Sequence, residues 1–224
     1  MSRGMGIGLG CLAVLVLVAI VLAVGGVGTY NSLVSSSQAV DAQWSQVENV
    51  YQRRADLIPN LVATVQGAAA FEKSTLEAVT QARASVGRMN VNAGNITNDP
   101  AAFQRFEQAQ NALGSALQRL MVVVERYPDL KANANFRDLQ AQLEGTENRI
   151  AVERMRYNER AQAYNTQRLR FPARIYAGLL GFGEKAYFRA QAGAEQAPQV
   201  QFNFGSPTPA PALPATPAPA TPQP

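Results

Sequence analysis

The chain has 224 residues, 47% of them hydrophobic and 16% charged, with a net charge of +4, one cysteine and no histidine. Without histidine there is no Ser–His–Asp or Cys–His site, no His-ligated zinc site and no Glu-x-x-His di-iron site; one cysteine makes neither an internal disulfide nor a Cys-only metal site. The mild charge carries no nucleic-acid signature, and neither a metal nor a cofactor is expected.

Arg3 is followed by an uncharged stretch to Val40, whose apolar heart is the 21-residue run Ile7–Val27. About 20 such residues cross the hydrocarbon core of a bilayer as a helix. The first expected partner is therefore the lipid bilayer, through residues 7–27. Two rival readings stand beside this one. Ala23-Val24-Gly25 offers a small-x-small site for signal-peptide cleavage. Leu9-Gly10-Cys11 offers a lipoprotein site, but the apolar run follows Cys11 rather than preceding it, and the cysteine reads as an apolar residue of the span. Arg3 and the amino terminus precede the span, whereas the first cation after it is Arg53. The positive-inside bias puts the N-terminus in the cytoplasm and the body outside it.

Val40, Trp44, Val47, Tyr51, Ile58, Leu61, Val65, Val79, Ala82 and Val86 recur by threes and fours. That spacing predicts helical packing. The stripe keeps its phase through Pro59, with no polar turn around it. The expectation is one helix from the membrane to about Val86, kinked at Pro59. The segment Tyr30–Val86 would then be a rod of about 85 Å at 1.5 Å per residue. The alternative is a break at Pro59 and a regular four-helix arrangement. Arg53, Arg54, Asp56 and Asn60 crowd the proline, which frees the carbonyl of Ala55. They read as a recognition patch or hinge, or as a buried polar network fixing the kink. The rule that buried polar groups are paired favours the network.

Asn90 to Asp99 reads as a loop. Asp99-Pro100 starts a helix, with an N-cap acceptor and proline at the first helical position. Phe103, Phe106, Leu113, Leu117, Leu120 and Val124 form its stripe, with Gln110 in the missing register. Tyr127-Pro128 ends it. Asn135 with Asp138 resembles a capping box for the next helix, which carries Phe136, Leu139, Leu143, Thr146, Ile150, Tyr157 and Tyr164 on one face and ends at Phe171-Pro172. Glu147-Asn148-Arg149 and the pairs Tyr157-Asn158 and Tyr164-Asn165 make this helix rich in hydrogen-bonding groups. The two Tyr-Asn pairs are seven apart and share a face, suited to packing against Arg53, Arg54 and Asp56. Seven arginines and two glutamates lie between Arg149 and Arg174. They read as a docking surface for an acidic partner, anionic lipid or wall polymer, or as a solvated face. The apolar segment Ile175–Phe182 is too short to span a bilayer. On the rod reading it caps the end away from the membrane, and on the four-helix reading it returns to the bilayer. From Pro198 to Pro224 there is no charge, and nine of the thirteen prolines lie there. That composition predicts a disordered spacer with polyproline II character. Val200, Phe202 and Phe204 just inside it alternate as if to pin an extended piece onto the body.

Several strings resemble the LemA family: Tyr30-Asn31-Ser32-Leu33; Trp44 followed by Tyr51-Gln52-Arg53-Arg54-Ala55-Asp56-Leu57-Ile58-Pro59-Asn60-Leu61-Val62; Tyr127-Pro128-Asp129-Leu130-Lys131-Ala132-Asn133; Glu147-Asn148-Arg149-Ile150; and the two Tyr-Asn pairs. The likeness runs from about residue 1 to 204 and omits the proline-rich tail. It implies a bacterial, membrane-anchored, all-helical protein. Some members are associated with membrane-organelle formation or with membrane proteases, and the family has no agreed catalytic motif to carry over.

The expected fold is all-α: an N-terminal transmembrane helix, then an antiparallel long-helix bundle of three long helices plus a short fourth, bromodomain-like or LemA-like. The expected division is an anchor at 1–29, a bundle at 30–192 and a tail at 193–224. The expected function is a non-enzymatic scaffold or adaptor of the bacterial cell envelope, anchored in the inner membrane with a periplasmic body. Its partners would be other membrane or envelope proteins or a second copy of itself, and not nucleic acid. The alternative is a lipid-binding or membrane-remodelling protein acting through the bundle and its arginine-rich helix. A carboxylate enzyme using Asp56, Glu72, Glu125 or Glu147 would need two of them to converge in a cleft.

Overall fold

The computed structural model describes residues 3–67, 72–89 and 93–189. Among these the secondary structure is helical throughout: α1 (Arg3–Gln66), α2 (Lys73–Gly87), α3 (Ala93–Ile96), α4 (Pro100–Val124), α5 (Pro128–Ala132), α6 (Ala134–Leu169) and α7 (Ala173–Leu180). The architecture is the expected one, a long N-terminal helix leading into an antiparallel bundle. One compact unit runs to Phe188. The tail boundary and the alternating Val200–Phe204 piece lie outside the described residues.

The first part of α1 is a candidate transmembrane helix. Leu12, Val14, Leu15, Leu17 and Ile20 are all exposed, as lipid-facing side chains are. From Leu33 onward the pattern narrows to a single buried stripe, Leu33, Val40, Trp44, Val47 and Tyr51. The remaining long helices pack along that stripe in alternating directions. Gln43 bonds Glu153 at 2.6 Å, and Arg54 bonds Glu147 at 2.7 Å, so α6 runs antiparallel to α1. The rings of Phe103 and Phe106 meet Trp44 and Tyr51 at 5.5 and 5.2 Å, so α4 runs parallel to it. The result is an up-down-up-down bundle with one aromatic core nearer the span and one aliphatic core beyond it.

The expected unbroken helix to Val86 is not formed. The chain passes Pro59 as a helix, ends α1 at Gln66 and then doubles back, so that Arg83 of α2 lies beside Ala55 of α1. Past the span, the helix from Tyr30 to Gln66 is therefore about 55 Å long rather than 85 Å. The break falls eight residues after the proline, at Gly67. Pro59 is tolerated because its ring faces solvent and because the Arg83 Nε–H donates to the freed Ala55 carbonyl at 2.9 Å. Val79 and Val86 still belong to the hydrophobic seam, but they reach it from a helix of opposite direction.

Three smaller expectations also change. The 90–99 connection holds the short helix α3. The cap of α6 is Asn133, whose side chain accepts from the Phe136 N–H at 3.2 Å, and not Asn135. The 175–182 segment is not a distal cap. Most of it is α7, which packs Ala173 and Ala177 on Leu33 next to the span. The Asp99 cap of α4 is present as read, its carboxylate accepting from Ala101 and Ala102 N–H at 2.8 and 3.1 Å. α7 ends at Gly181, where φ of +76° favours glycine, and the Phe182 N–H returns to the Ala177 carbonyl at 3.0 Å.

Arg83 and Pro59 should be energetically coupled. In the full chain in detergent micelles, followed by Trp44 fluorescence during urea unfolding, Arg83→Met is expected to cost about 1.5 kcal/mol, the low end for loss of a charged donor, since the bond is only part-buried. In a Pro59→Ala background the restored N–H at position 59 takes over that carbonyl, and the same substitution should cost distinctly less. Equal costs in the two backgrounds would remove Arg83 from the account of the proline.

Candidate functional site

Two buried polar layers cross the bundle. The first is centred on Arg54, which is 3% exposed. Its guanidinium donates to Glu147 of α6 at 2.7 Å and to the Gln110 side chain of α4. It also lies 5.1 Å from the Tyr51 ring centroid. Gln110 fills the gap in the α4 stripe because this position faces a cation and not a hydrocarbon. The layer separates the aromatic core, ending at Tyr51, from the aliphatic core, beginning at Ile58.

The neighbours of Arg54 in sequence do not join it. Arg53 is exposed and donates to Gln142 at 3.2 Å. Asp56 is exposed and accepts from Gln52 on its own helix at 2.8 Å. Pro59 and Asn60 face solvent. On α6 only Glu147, whose side chain is 44% exposed, reaches in to the buried Arg54; Asn148 and Arg149 are exposed and do not. Asn148 lines an open groove of about 820 Å³ between α4 and α6, with Leu117, Met121 and Leu143 as its apolar floor. Thus Arg54, Gln110 and Glu147 form a site, while Arg53, Asp56, Asn60, Asn148 and Arg149 belong to the surface.

The second layer lies nearer the span. After α7 the chain runs extended from Phe182 to Phe188 beside α6, and the two Tyr-Asn pairs hold it there. The Asn158 amide accepts from the Phe188 N–H and donates to its carbonyl, both at 2.9 Å. Asn165 does the same for Lys185, at 3.0 and 2.9 Å. The spacing is what makes this work. Seven residues of helix advance about 10.5 Å, and three residues of extended chain advance about 10 Å. Each asparagine therefore meets a backbone edge as a neighbouring strand would. The Tyr164 hydroxyl donates to the Gly183 carbonyl at 3.0 Å. Tyr157 packs between Trp44, Phe103 and Phe188, at 5.5, 5.8 and 5.4 Å between ring centroids. The tyrosines therefore serve this strap and the aromatic core, and not the Arg53–Asp56 segment.

The strap delivers Lys185 into the core. Its ammonium is fully buried and donates to Asp41 Oδ1 and Thr97 Oγ1, each at 2.9 Å. Thr97 in turn donates to Asp41 at 2.9 Å. Lys185, Asp41 and Thr97 escaped the sequence reading because a single lysine is normally exposed and its partners lie far away in the chain. The only local signal was the alternation of Lys185 and Tyr187 with small or apolar residues after two glycines.

A sequence model of the LemA family matches residues 43–202, which include the first layer, the strap and, of the second layer, Thr97 and Lys185 but not Asp41. The chain belongs to the LemA family. It is 30% identical over 175 residues to the magnetosome proteins MamQ 1 and MamQ 2 of Paramagnetospirillum magneticum. It is 29% identical over 174 residues to the magnetosome protein MamQ of Magnetospirillum gryphiswaldense. Each match covers 71% of this chain and spans 64% of the relative's own length.

In this LemA-family chain the four carboxylates weighed as a reaction centre are engaged separately. Glu147 meets Arg54, Glu72 meets Arg126 at 2.9 Å, Glu125 meets Lys131, and Asp56 meets Gln52. Burial raises the Tyr51, Tyr157 and Tyr164 hydroxyls above the usual tyrosine range, with nearby arginines pulling Tyr51 partly back. For Tyr157 the Asp41 charge adds to burial. Such tyrosines stay neutral and act as packing groups. Among the described residues, three of the seven arginines between 149 and 174 are in ion pairs: Arg154 with Glu107 at 3.0 Å, Arg156 with Glu153 at 2.9 Å and Arg168 with Glu184 at 3.5 Å.

Two neighbours in this core should respond in opposite ways. Lys185→Ala leaves Asp41 half-buried without its cation and should cost about 3–5 kcal/mol in urea unfolding of the full chain in micelles. Tyr157→Phe should cost little near neutral pH, because the hydroxyl is buried with no hydrogen-bond partner among the described atoms. Its effect appears in alkali. With the folded value raised, Tyr157 ionises first in the unfolded chain, so stability falls as pH rises above about 10. Tyr157→Phe should flatten that decline, and an unchanged alkaline slope would contradict the assignment.

Proposed function

We propose that the chain is a non-enzymatic, single-pass protein of the bacterial cell envelope whose helical body is a scaffold or adaptor for other membrane proteins. The observation that carries this reading is where the polar chemistry goes. Arg54, Gln110 and Glu147 tie three helices to one another. Asp41, Thr97 and Lys185 tie α1, the connection after α3 and the strap together nearer the span, and Asn158 and Asn165 are spent on backbone. What remains for other molecules is surface: long helix faces, an open groove and an arginine-rich flank. Membership of the LemA family and similarity to magnetosome proteins of two bacteria support membrane association. On this reading the membrane is the cytoplasmic one, and the cations before the span, Arg3 and the amino terminus, support a periplasmic body.

The α4–α6 groove is the surface we assign to partner contact, since it combines apolar floor and polar rim as interface patches do. A photo-crosslinking residue at Val122, which is 69% exposed on the groove edge, should yield discrete adducts with the same envelope proteins from independent native-membrane preparations. Those adducts should disappear when Met121, which is only partly buried on the groove floor, is replaced by glutamate. An adduct of twice the chain's mass would identify self-association as the interaction. Adducts with lipid alone would contradict the adaptor reading.

A further inference from the structure

α7 is apolar on more sides than its packing uses. Ala173 and Ala177 bury against Leu33, and the Tyr176 ring closes on Gly26 so tightly that a Cβ there would lie 3.0 Å from it. Phe182, just past the helix, meets the Tyr30 ring at 5.8 Å. Gly26 and Tyr30 bracket the end of the apolar run at Val27, so α7 is held at the level where the span ends. Its other faces carry Ile175, Leu179 and Leu180, which are 60%, 80% and 48% exposed, and Phe171, two residues before the helix, is 84% exposed. On α1, Val24 and Val27, either side of the Gly26 that Tyr176 touches, are 70% and 62% exposed, so the exposed apolar residues of the span reach the level at which α7 is held. Arg170 and Arg174 are exposed within the same segment. Apolar faces, flanking arginines and several aromatic rings at the end of a span are the composition of a helix lying in the headgroup region.

We infer that α7 is a second membrane contact: its Ile175–Leu179 face enters the headgroup–acyl boundary of the bilayer that α1 crosses, with Arg170 and Arg174 at anionic headgroups. The inference rests on α1 spanning that bilayer. Its occupant is lipid and not protein because the exposed face lies at the level where the lipid-facing span ends and its cations suit phosphate. The strap makes the contact a fixed one. The turn at Gly181, the Asn165 pairing and buried Lys185 hold the chain leaving α7 to the bundle. Attachment at two points restrains the tilt of the body relative to the membrane.

The test uses the full chain with Cys11→Ala, reconstituted in vesicles of phosphatidylcholine and phosphatidylglycerol. A fluorescent label is placed singly at Leu179→Cys, at Leu17→Cys within the span, or at Val122→Cys on the distal groove. Labels at 17 and 179 should be quenched by nitroxide-bearing lipids and protected from aqueous iodide, with 179 the shallower, about 5–10 Å into the boundary. The label at 122 should behave in the opposite way. Replacing Arg170 and Arg174 by glutamine should restore part of the iodide quenching at 179. A lipid-quenched 17 with an iodide-accessible 179 would overturn the second contact and leave the anchor standing. Protection of 179 from both quenchers would mean that protein covers it, which also overturns the inference. A label at 17 that lipid does not quench would remove the anchor and the second contact together.

Discussion

One helix has to satisfy two solvents. α1 leaves a stretch apolar on every side and becomes a bundle helix with a single buried stripe, without interrupting its backbone hydrogen bonds. A spanning segment must satisfy its own backbone, and continuing the same helix into the body meets that requirement without a loop at the interface. Every other long element then takes its direction from α1. α6 and α4 pack on its stripe, and α7 packs on the turn where the span ends. The one flaw in the ladder, at Pro59, is repaired from outside by Arg83, and that repair also fixes where α2 lies.

A narrow bundle has little core to spare, and this one places charges in it. Burying a lysine or an arginine is unfavourable unless the partner geometry is good. Here Arg54 meets Glu147 and Gln110, and Lys185 meets Asp41 and Thr97, each contact joining elements distant in sequence. Hydrophobic stripes of similar composition can slide past one another by a turn. A buried cation with one available carboxylate cannot. We read both layers as register locks, with Trp44, Phe103, Tyr157 and Phe188 packed around the second as the part that contributes burial.

The stripes, the Asp99 cap and the apolar span were legible because each is a local pattern with a local cause. The reversal after Gln66 was not. Gly67-Ala68-Ala69-Ala70 includes the best helix former three times over, and the seam residues resume on α2 at a spacing that does not betray a change of direction. Pro59 drew the attention that belonged to Gly67. In the site, Arg54 and Glu147 were recognisable as hydrogen-bonding groups in the family strings, and the seven-residue repeat of Tyr-Asn was correctly one face. What that face holds was invisible, because its partner is an extended segment recognised only by its backbone. Lys185 lies 144 residues from Asp41, and no window along the chain brings them together.

If the body is a scaffold, it must be held by the membrane and not merely tethered to it, and that depends on α1 being unbroken between the span and the bundle. Paired spin labels at Ile20→Cys and Gln52→Cys, in the full chain with Cys11→Ala in lipid nanodiscs, measure this by pulsed dipolar spectroscopy. Thirty-two helical rises put the two backbone sites about 48 Å apart. A narrow distance distribution centred near that value is the expected result. A broad distribution extending well below it would mean a hinge between anchor and body, and would contradict the account.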